Sequence, residues 1–283
     1  MVNKQQLDQS IKTLNLNNKV ILLHSAYGSF GGVEGGPNCV IDCFLNAGCT
    51  LVVPTFTYDN GAYPPQKGLE YAQNGMDLTI YQDALQGLTQ CFDKDSQQIS
   101  DSMGVLSKVI LARPESIRGL HPVNSFTAIG PQAKNIIEQQ SLLDVYGPYQ
   151  YCYELENASL LLMGIDFTGV TPIHYAEQKS GRTLFRAWAN VKVKAKAKNS
   201  NDEKMPVEVS IGSCSAGFNA LQPMVEHLVQ KKLVGNSQWH CFEFTPFINR
   251  ISKQIIATPE ITHCDNAQCI RCHDAILGGP NLE

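Results

Sequence analysis

His174 and Glu177 carry the most suggestive chemistry in this chain of 283 residues. They stand in Thr171-Pro172-Ile173-His174-Tyr175-Ala176-Glu177. Thr171 suits a helix N-cap and Pro172 the first helical position, so a helix is predicted to start there. Residues three apart share one helix face, where a carboxylate can orient an imidazole and stabilise its charged form. That is the arrangement of a general-base dyad. Taken alone, the pair also fits a helix-surface or capping contact.

A second group of reactive side chains lies in the Cys-rich segment 263–273, His263-Cys264-Asp265-Asn266-Ala267-Gln268-Cys269-Ile270-Arg271-Cys272-His273. Thiolates with gaps of four and two residues can wrap one tetrahedral zinc, and in a reducing compartment that pattern suggests metal more than disulfide. Three ligands leave one position open. Cys214, in the small-residue turn Gly212-Ser213-Cys214-Ser215, is the favoured fourth ligand of a structural site, with Cys241 or a histidine as alternatives. A catalytic zinc completed by His240 or Cys241 would instead give a metal-dependent hydrolase. Reduced or oxidised surface thiols without a metal are the plain alternative. The seven cysteines outside this segment, Cys39, Cys43, Cys49, Cys91, Cys152, Cys214 and Cys241, stand singly and read as small buried hydrophobes.

The loop from His24 to Gly36 could present backbone N–H groups and hydroxyls to an anion at a helix N-terminus. It has neither the Lys-Ser/Thr of a P-loop nor the glycine spacing of a dinucleotide fold, which argues against a nucleotide triphosphatase.

Elements must position these residues. Lys19-Val20-Ile21-Leu22-Leu23, Thr50-Leu51-Val52-Val53-Pro54-Thr55-Phe56 and Ala158-Ser159-Leu160-Leu161-Leu162-Met163-Gly164 read as buried strands, each leading into a segment with candidate site residues. Continuous apolar strands belong in a sheet covered on both faces. Helices are expected at the N-terminus, through Val40, Ile41, Phe44 and Leu45, from Asp101 to Pro114, and over 220–232 and 246–256. The fold class predicted is α/β, a three-layer sandwich whose central mixed sheet is covered by helices, with extra strands near 186–212 at one edge. A single domain over 1–281 is expected, with Leu282-Glu283 read as a cloning remnant.

Composition bounds the class. With 43% hydrophobic and 17% charged residues the chain can bury a large core, and a net charge of −4 gives no footprint for nucleic acid. Lys192, Lys194, Lys196 and Lys198 alternate with Val191, Val193, Ala195 and Ala197, the period of a strand with one solvated face. No apolar stretch is long enough for a membrane span, and the N-terminus reads as an amphipathic helix and not a signal peptide, so a cytoplasmic protein is expected.

Four stretches in register, LHSAYGSFGGVEGG, VVPTFTYDNGAYPP, DSMGVLSKVILARPESIRGLHPVNSFTAIGP and LLLMGIDFTGVTPIHYAEQKSGR, resemble the aminoglycoside 3-N-acetyltransferase family, antibiotic N-acetyltransferases unrelated in structure to the GNAT superfamily. The resemblance is dense from His24 to Arg182 and loose beyond. It implies transfer of acetyl from acetyl-coenzyme A, the cosubstrate, to a small-molecule amine, with the coenzyme between the glycine-rich loop and the central helix. His174 matches the family's general base and Glu177 its supporting carboxylate. His24, Ser25, Tyr27, Ser29 and Val33 match the coenzyme loop, and Ser102, Met103 and Gly104 a second coenzyme-contacting turn. His121 and Ser125 match a motif near the thioester, His121 as a further catalytic candidate and Ser125 on the coenzyme side; a hydrogen-bonded loop histidine is the other reading of His121, and of His24. Tyr58, Asp59, Tyr146 and Asp166 are the acceptor-side candidates.

A base must take a proton from the attacking amine while donors stabilise the oxyanion, either N–H groups opening the Asp101–Ala112 helix or the hydroxyls of Thr55 or Ser125. No cysteine or serine has a nucleophile setting, so direct transfer is expected. Family members acting on aminoglycosides usually carry a serine in Phe/Tyr-Gly-Pro-x-Ser-Pro; here the stretch is Tyr146-Gly147-Pro148-Tyr149-Gln150-Tyr151, and Tyr149 and Tyr151 are expected to narrow the acceptor site. Asp59, Asp101, Asp166 and Glu177 could supply carboxylates for a polycation. A coenzyme A-binding protein without turnover is a third class, and a homodimer is a candidate assembly.

Overall fold

The three apolar runs become neighbouring parallel strands at the centre of one sheet. In the computed structural model, which describes residues 1–63, 90–193, 203–269 and 271–272, β1 (Val20–Ser25) lies between β2 (Thr50–Pro54) and β6 (Ala158–Met163) and pairs in parallel with both. Antiparallel strands extend the sheet on either side. β5 (Phe126–Ile129) pairs with β2, and β4 (Ile117–Arg118) with β5. On the other side β10 (Ser237–Glu243) pairs with β6, and β9 (Gln230–Val234) forms the edge. The result is a mixed seven-stranded sheet of order β4-β5-β2-β1-β6-β10-β9.

Successive strand side chains point to opposite faces, and the core divides accordingly. Val20, Leu22, Leu160 and Leu162 face one side, Ile21, Leu23, Leu161 and Met163 the other. The second face is covered by α1 (Lys4–Thr13), α2 (Gly36–Asn46) and α3 (Gly104–Leu111), through Leu7, Ile11, Phe44, Leu106 and Ile110. The first is covered by α4 (Ala133–Ile137), α5 (Gly147–Glu154), α6 (Pro172–Lys179) and α8 (Phe244–Ala257), with the short α7 (Gln222–Val225) beside them. The three-layer α/β expectation is therefore met. Among the described residues no helix is long and apolar enough to cross a membrane.

Two expectations need correction. The extra strands, β7 (Phe185–Val193) and β8 (Glu203–Ile211), do not extend the main sheet; with β3 (Gly61–Ala62) they form a separate three-stranded antiparallel sheet. It has its own small core of Val123, Ala187, Ala189 and Val209. Lys192 is exposed as expected, whereas Lys194, Ala195, Lys196, Ala197 and Lys198 lie outside the described residues. The 220–232 helix is replaced by short helical turns up to Leu228 and then β9. From Gln230 onward the backbone pairs with β10, and this edge pairing overrides the helical pattern. Exposed Lys231 on β9 is the charge expected on an edge strand, which discourages further pairing.

Cys43, Cys49, Cys152 and Cys241 are buried as small hydrophobes, while Cys39 and Cys91 are half-buried. Fully buried Trp239 on β10 stacks against Phe44 at 6.1 Å and meets the edge of Phe30 at 6.0 Å, which joins sheet, α2 and the glycine-rich loop. Trp239→Ala is expected to cost about 3–5 kcal/mol, read as a lower midpoint in urea denaturation. A loss below about 1 kcal/mol would contradict a packed second face.

Candidate active site

β1, β2 and β6 run in the same direction, and their C-terminal ends open on the same side. Ligands of open α/β sheets bind at such ends. A cavity of about 780 Å³ lies there. His24 and Ser25 reach it from β1, Pro54, Phe56 and Tyr58 from the end of β2, and Ile165 to His174 from the connection after β6. Ser102, Met103 and Ser107 close one side, and Gly61, Ala62, Ala187, Trp188 and Ile211 of the second sheet roof it over. The chain leaves β6 at Gly164, whose positive φ of 65° and close approach to Ser29 Oγ, 2.2 Å from where a Cβ would stand, leave no room for a side chain. Asp166 then accepts hydrogen bonds from the Thr168 N–H at 3.1 Å and hydroxyl at 2.5 Å, stabilising the turn that delivers α6.

Pro172 opens α6 as expected, but Thr171 has helical dihedrals, φ −52° and ψ −35°, and makes no side-chain cap. His174 and Glu177 follow on the buried face. His174 Nδ1 lies 2.7 Å from Glu177 Oε2. With Nδ1–H donating to the carboxylate, Nε2 is the nitrogen left to act as a base. The carboxylate has two more partners: the Ser213 hydroxyl donates to Oε2 at 2.7 Å, and Arg182 donates to Oε1 at 2.5 Å. The Glu177 and Arg182 side chains are 5% and 8% exposed, so this is a buried ion pair completed by hydrogen bonds. Arg182 also donates to Thr262 Oγ1 at 2.9 Å and to the Pro259 carbonyl. The imidazole is flanked by Tyr146, nearly parallel at a 6.1 Å ring separation, and by the edge of Phe218 at 4.8 Å. Burial, with the Glu177 charge nearby, pushes the Tyr146 hydroxyl well above its usual range, so it stays a neutral donor. Gly212 completes the enclosure: a Cβ there would stand 2.7 Å from the His174 ring and 2.5 Å from Tyr146 Oη.

Other expected site residues separate into two groups. His24, Ser25, Ser102, Met103, Tyr58, Tyr146 and His174 line the cavity; Tyr27, Ser29, Val33, Gly104, His121, Ser125, Asp59 and Asp166 do not. Gly104 still lies against Ser25, its absent Cβ 3.4 Å from the Ser25 carbonyl, so the two expected coenzyme turns meet. Ser29 bonds to Ser237 at 2.7 Å, and the N–H groups of Ser29, Gly31, Glu34 and Gly36 are taken by carbonyls. These four N–H groups are therefore not offered to an anion.

His121, the further catalytic candidate, does not line the cavity. Nε2 donates to the Ser210 carbonyl at 2.9 Å and Nδ1 accepts from the Asn124 N–H at 2.9 Å, so both ring nitrogens are engaged. Burial pushes its pKa down to about 4, which keeps it neutral as a connector between the two sheets. His24 is likewise pushed down to about 4 by burial, against the Gly169 backbone, and its Nε2 has no hydrogen-bond partner. Ser125 donates to the Thr55 carbonyl and accepts from Arg118, and the Thr55 hydroxyl bonds to Ser125 and Thr127, so neither hydroxyl is offered to the cavity. Tyr149 stacks beneath Tyr146 in the core and Tyr151 packs behind it. Neither narrows the cavity; Tyr146 does. Arg182, Ser213 and Gly212 were not identified from sequence. Arg182 closes the motif stretch that ends Ser-Gly-Arg, and Ser213 stands beside the cysteine singled out as a metal ligand, but nothing local ties either to Glu177.

Cys214, Cys264, Cys269 and Cys272 converge at one edge of this site, with all four sulfurs within 4.8 Å of one another. His240 and Cys241 lie on β10 and are not in that group. Four thiols fill a tetrahedron and leave no open position, which argues against the catalytic zinc of a hydrolase. His273 lies outside the described residues.

Comparison with known proteins bears on the family and the fold. The sequence pattern of the aminoglycoside 3-N-acetyltransferase family matches residues 22–255. Aminoglycoside N(3)-acetyltransferase IX of Micromonospora chalcea is 27% identical over 182 residues, 62% of either chain. Aminoglycoside N(3)-acetyltransferase III of Salmonella sp is 27% identical over 181 residues, 62% of this chain and 60% of that one. The matched region thus spans under two thirds of these relatives' length. The apoenzyme crystal structure of aminoglycoside acetyltransferase AAC(3)-IVa shares the fold, with a TM-score of 0.74 at 20% identity over 98% of this chain and 97% of that one. A mutant of that enzyme in complex with gentamicin superposes with a TM-score of 0.73 at 21% identity, over 98% of this chain and 97% of that one.

Two outcomes test this geometry. Glu177→Gln leaves the Arg182 guanidinium buried without its counter-charge and is expected to destabilise the fold by about 3–5 kcal/mol in urea denaturation; unchanged stability would contradict a buried ion pair. Gly212→Ala is expected to displace the His174 ring and lower turnover at least roughly tenfold, because misplacement of about 1 Å costs up to about 10²-fold. A crystal structure of that variant with His174 unmoved would refute the steric argument.

Proposed function

The chain belongs to the aminoglycoside 3-N-acetyltransferase family, and from that premise we propose that it transfers acetyl from acetyl-coenzyme A directly to an amine of an aminoglycoside. The observation that carries the mechanism is the 2.7 Å contact of His174 Nδ1 with Glu177, on a residue that lines the cavity. A protonated amine cannot attack a thioester. His174 Nε2 takes the amine proton as the C–N bond forms and the C–S bond breaks, and the imidazolium can return that proton to the departing thiolate. Glu177 holds the ring and balances its transient charge; Arg182 and Ser213 hold Glu177.

Ser25, Ser102, Met103 and Ser107 support a course for the pantetheine arm along the side of the cavity formed by β1 and α3. With the Thr55 and Ser125 hydroxyls engaged elsewhere, the N–H groups opening α3 are the better oxyanion donors. Among the described residues no carboxylate lines the cavity, whereas Arg271 does. Exposed Asp59, beside Tyr58, exposed Asp101, beside Ser102, and exposed Asp166, beside Ile165, are acidic groups next in sequence to lining residues. This wall favours, as a second reading, an acceptor amine of lower positive charge than an aminoglycoside.

The test is release of free coenzyme A from acetyl-coenzyme A with a panel of aminoglycosides and simple amines. Turnover with gentamicin or apramycin is the expected result; turnover confined to simple amines would favour the second reading. His174→Ala is expected to lower turnover by about 10²–10⁴-fold, with coenzyme A affinity by calorimetry little changed. Near-normal turnover in that variant would remove the dyad from the mechanism.

A further inference from the structure

We propose that Cys214, Cys264, Cys269 and Cys272 bind one structural zinc ion, and that this ion locks the Gly212–Gly217 turn to the C-terminal segment. Sequence spacing points to three of these ligands, and folding brings the fourth from about fifty residues away. Zinc–sulfur bonds of about 2.3 Å place tetrahedral sulfurs about 3.8 Å apart. The pair Cys264 and Cys272 stands at 3.6 Å, and all four sulfurs fall within 4.8 Å, so small side-chain rotations close the tetrahedron. The Cys264 backbone N–H already points at Cys272 Sγ at 3.4 Å, a contact that stabilises a thiolate. Cys272 is buried and the other three are half-buried, so water access is restricted without an apolar pocket that would explain four thiols as hydrophobes.

The location gives the ion something to hold. Gly217 packs so tightly on the tail that a Cβ would stand 2.1 Å from the His263 carbonyl. Ser213, next to Cys214, donates to Glu177, while Arg182, the other donor to that carboxylate, is held by Thr262 and Pro259 just before Cys264. Zinc would thus join the two segments whose side chains fix Glu177. Binding displaces thiol protons as the four sulfurs become thiolates, with no change of oxidation state.

Three measurements on the full chain test this. Protein purified under reducing conditions without chelator is expected to contain about one zinc per chain, and its cobalt-substituted form to show the intense absorption of a four-thiolate tetrahedral site. Cys269→Ser and Cys264→Ser are expected to lose most of the metal, whereas Cys91→Ser, outside the cluster, keeps it. Adding zinc to metal-stripped protein is expected to slow amide exchange in both 212–217 and 262–269. Wild-type protein that takes up no zinc when dialysed against micromolar metal with reductant would overturn the site, even if the serine variants fail to fold. So would a cobalt spectrum without the four-thiolate band, or wild-type metal content in Cys269→Ser. A Cys264–Cys272 disulfide persisting in reductant would also count against it, and unchanged exchange on zinc addition would overturn the locking role.

Discussion

A carboxylate as deeply buried as that of Glu177 is tolerable when its charge is matched and its lone pairs are used, because desolvation otherwise costs several kcal/mol. Here the requirement is met by donors from three places. His174 lies one turn earlier on the same helix, Arg182 follows that helix, and Ser213 arrives from the end of the second sheet. Two of these donors are themselves secured: Arg182 by Pro259 and Thr262, His174 by Tyr146, Phe218 and the missing side chain of Gly212. The orientation of the candidate base therefore depends on closure of the whole chain around one carboxylate.

The sheet topology explains why the cavity lies where it does. Parallel β1, β2 and β6 deliver their loops to one end, and the antiparallel flanking strands add width to the sheet. Left open, that end would be a shallow crevice. The β3-β7-β8 sheet covers it, and His121 joins the covering sheet to the core loops through its bond to the Ser210 carbonyl. A neutral histidine suits that place, since it offers one donor and one acceptor to two backbone groups without bringing a charge into the interior.

Sequence patterns revealed those parts of the molecule whose cause is local. The apolar runs, the α2 pattern and the His174/Glu177 spacing each depend on a few consecutive residues, and each reappears in the structure. Arg182 and Ser213 lie five and thirty-six residues from Glu177, and their role depends on a fold that brings the segments together. His121 shows the opposite limit: a histidine between leucine and proline in a family-like motif looks reactive until both its nitrogens are seen to be occupied. At 220–232 the helical pattern fails because pairing with β10 offers the backbone a better partner, a competition that sequence alone does not reveal.

The charge distribution separates the two tasks of the cavity. Around His174 the charges are internally compensated: Glu177 is matched by Arg182, and the aromatic rings of Tyr146 and Phe218 shield the imidazole from bulk water. The Glu177 carboxylate beside His174 is thus already engaged and cannot serve as a binding group for an incoming cation as well. Attraction for a charged acceptor has to come from elsewhere on the protein, and exposed acids such as Asp59 act through a high dielectric where each contributes little. Under the proposed mechanism, acceptor selection would rest more on shape and hydrogen bonding along the cavity wall than on the Glu177–Arg182 ion pair. The two would then vary independently, and the proposed dyad would suit acceptors of different charge.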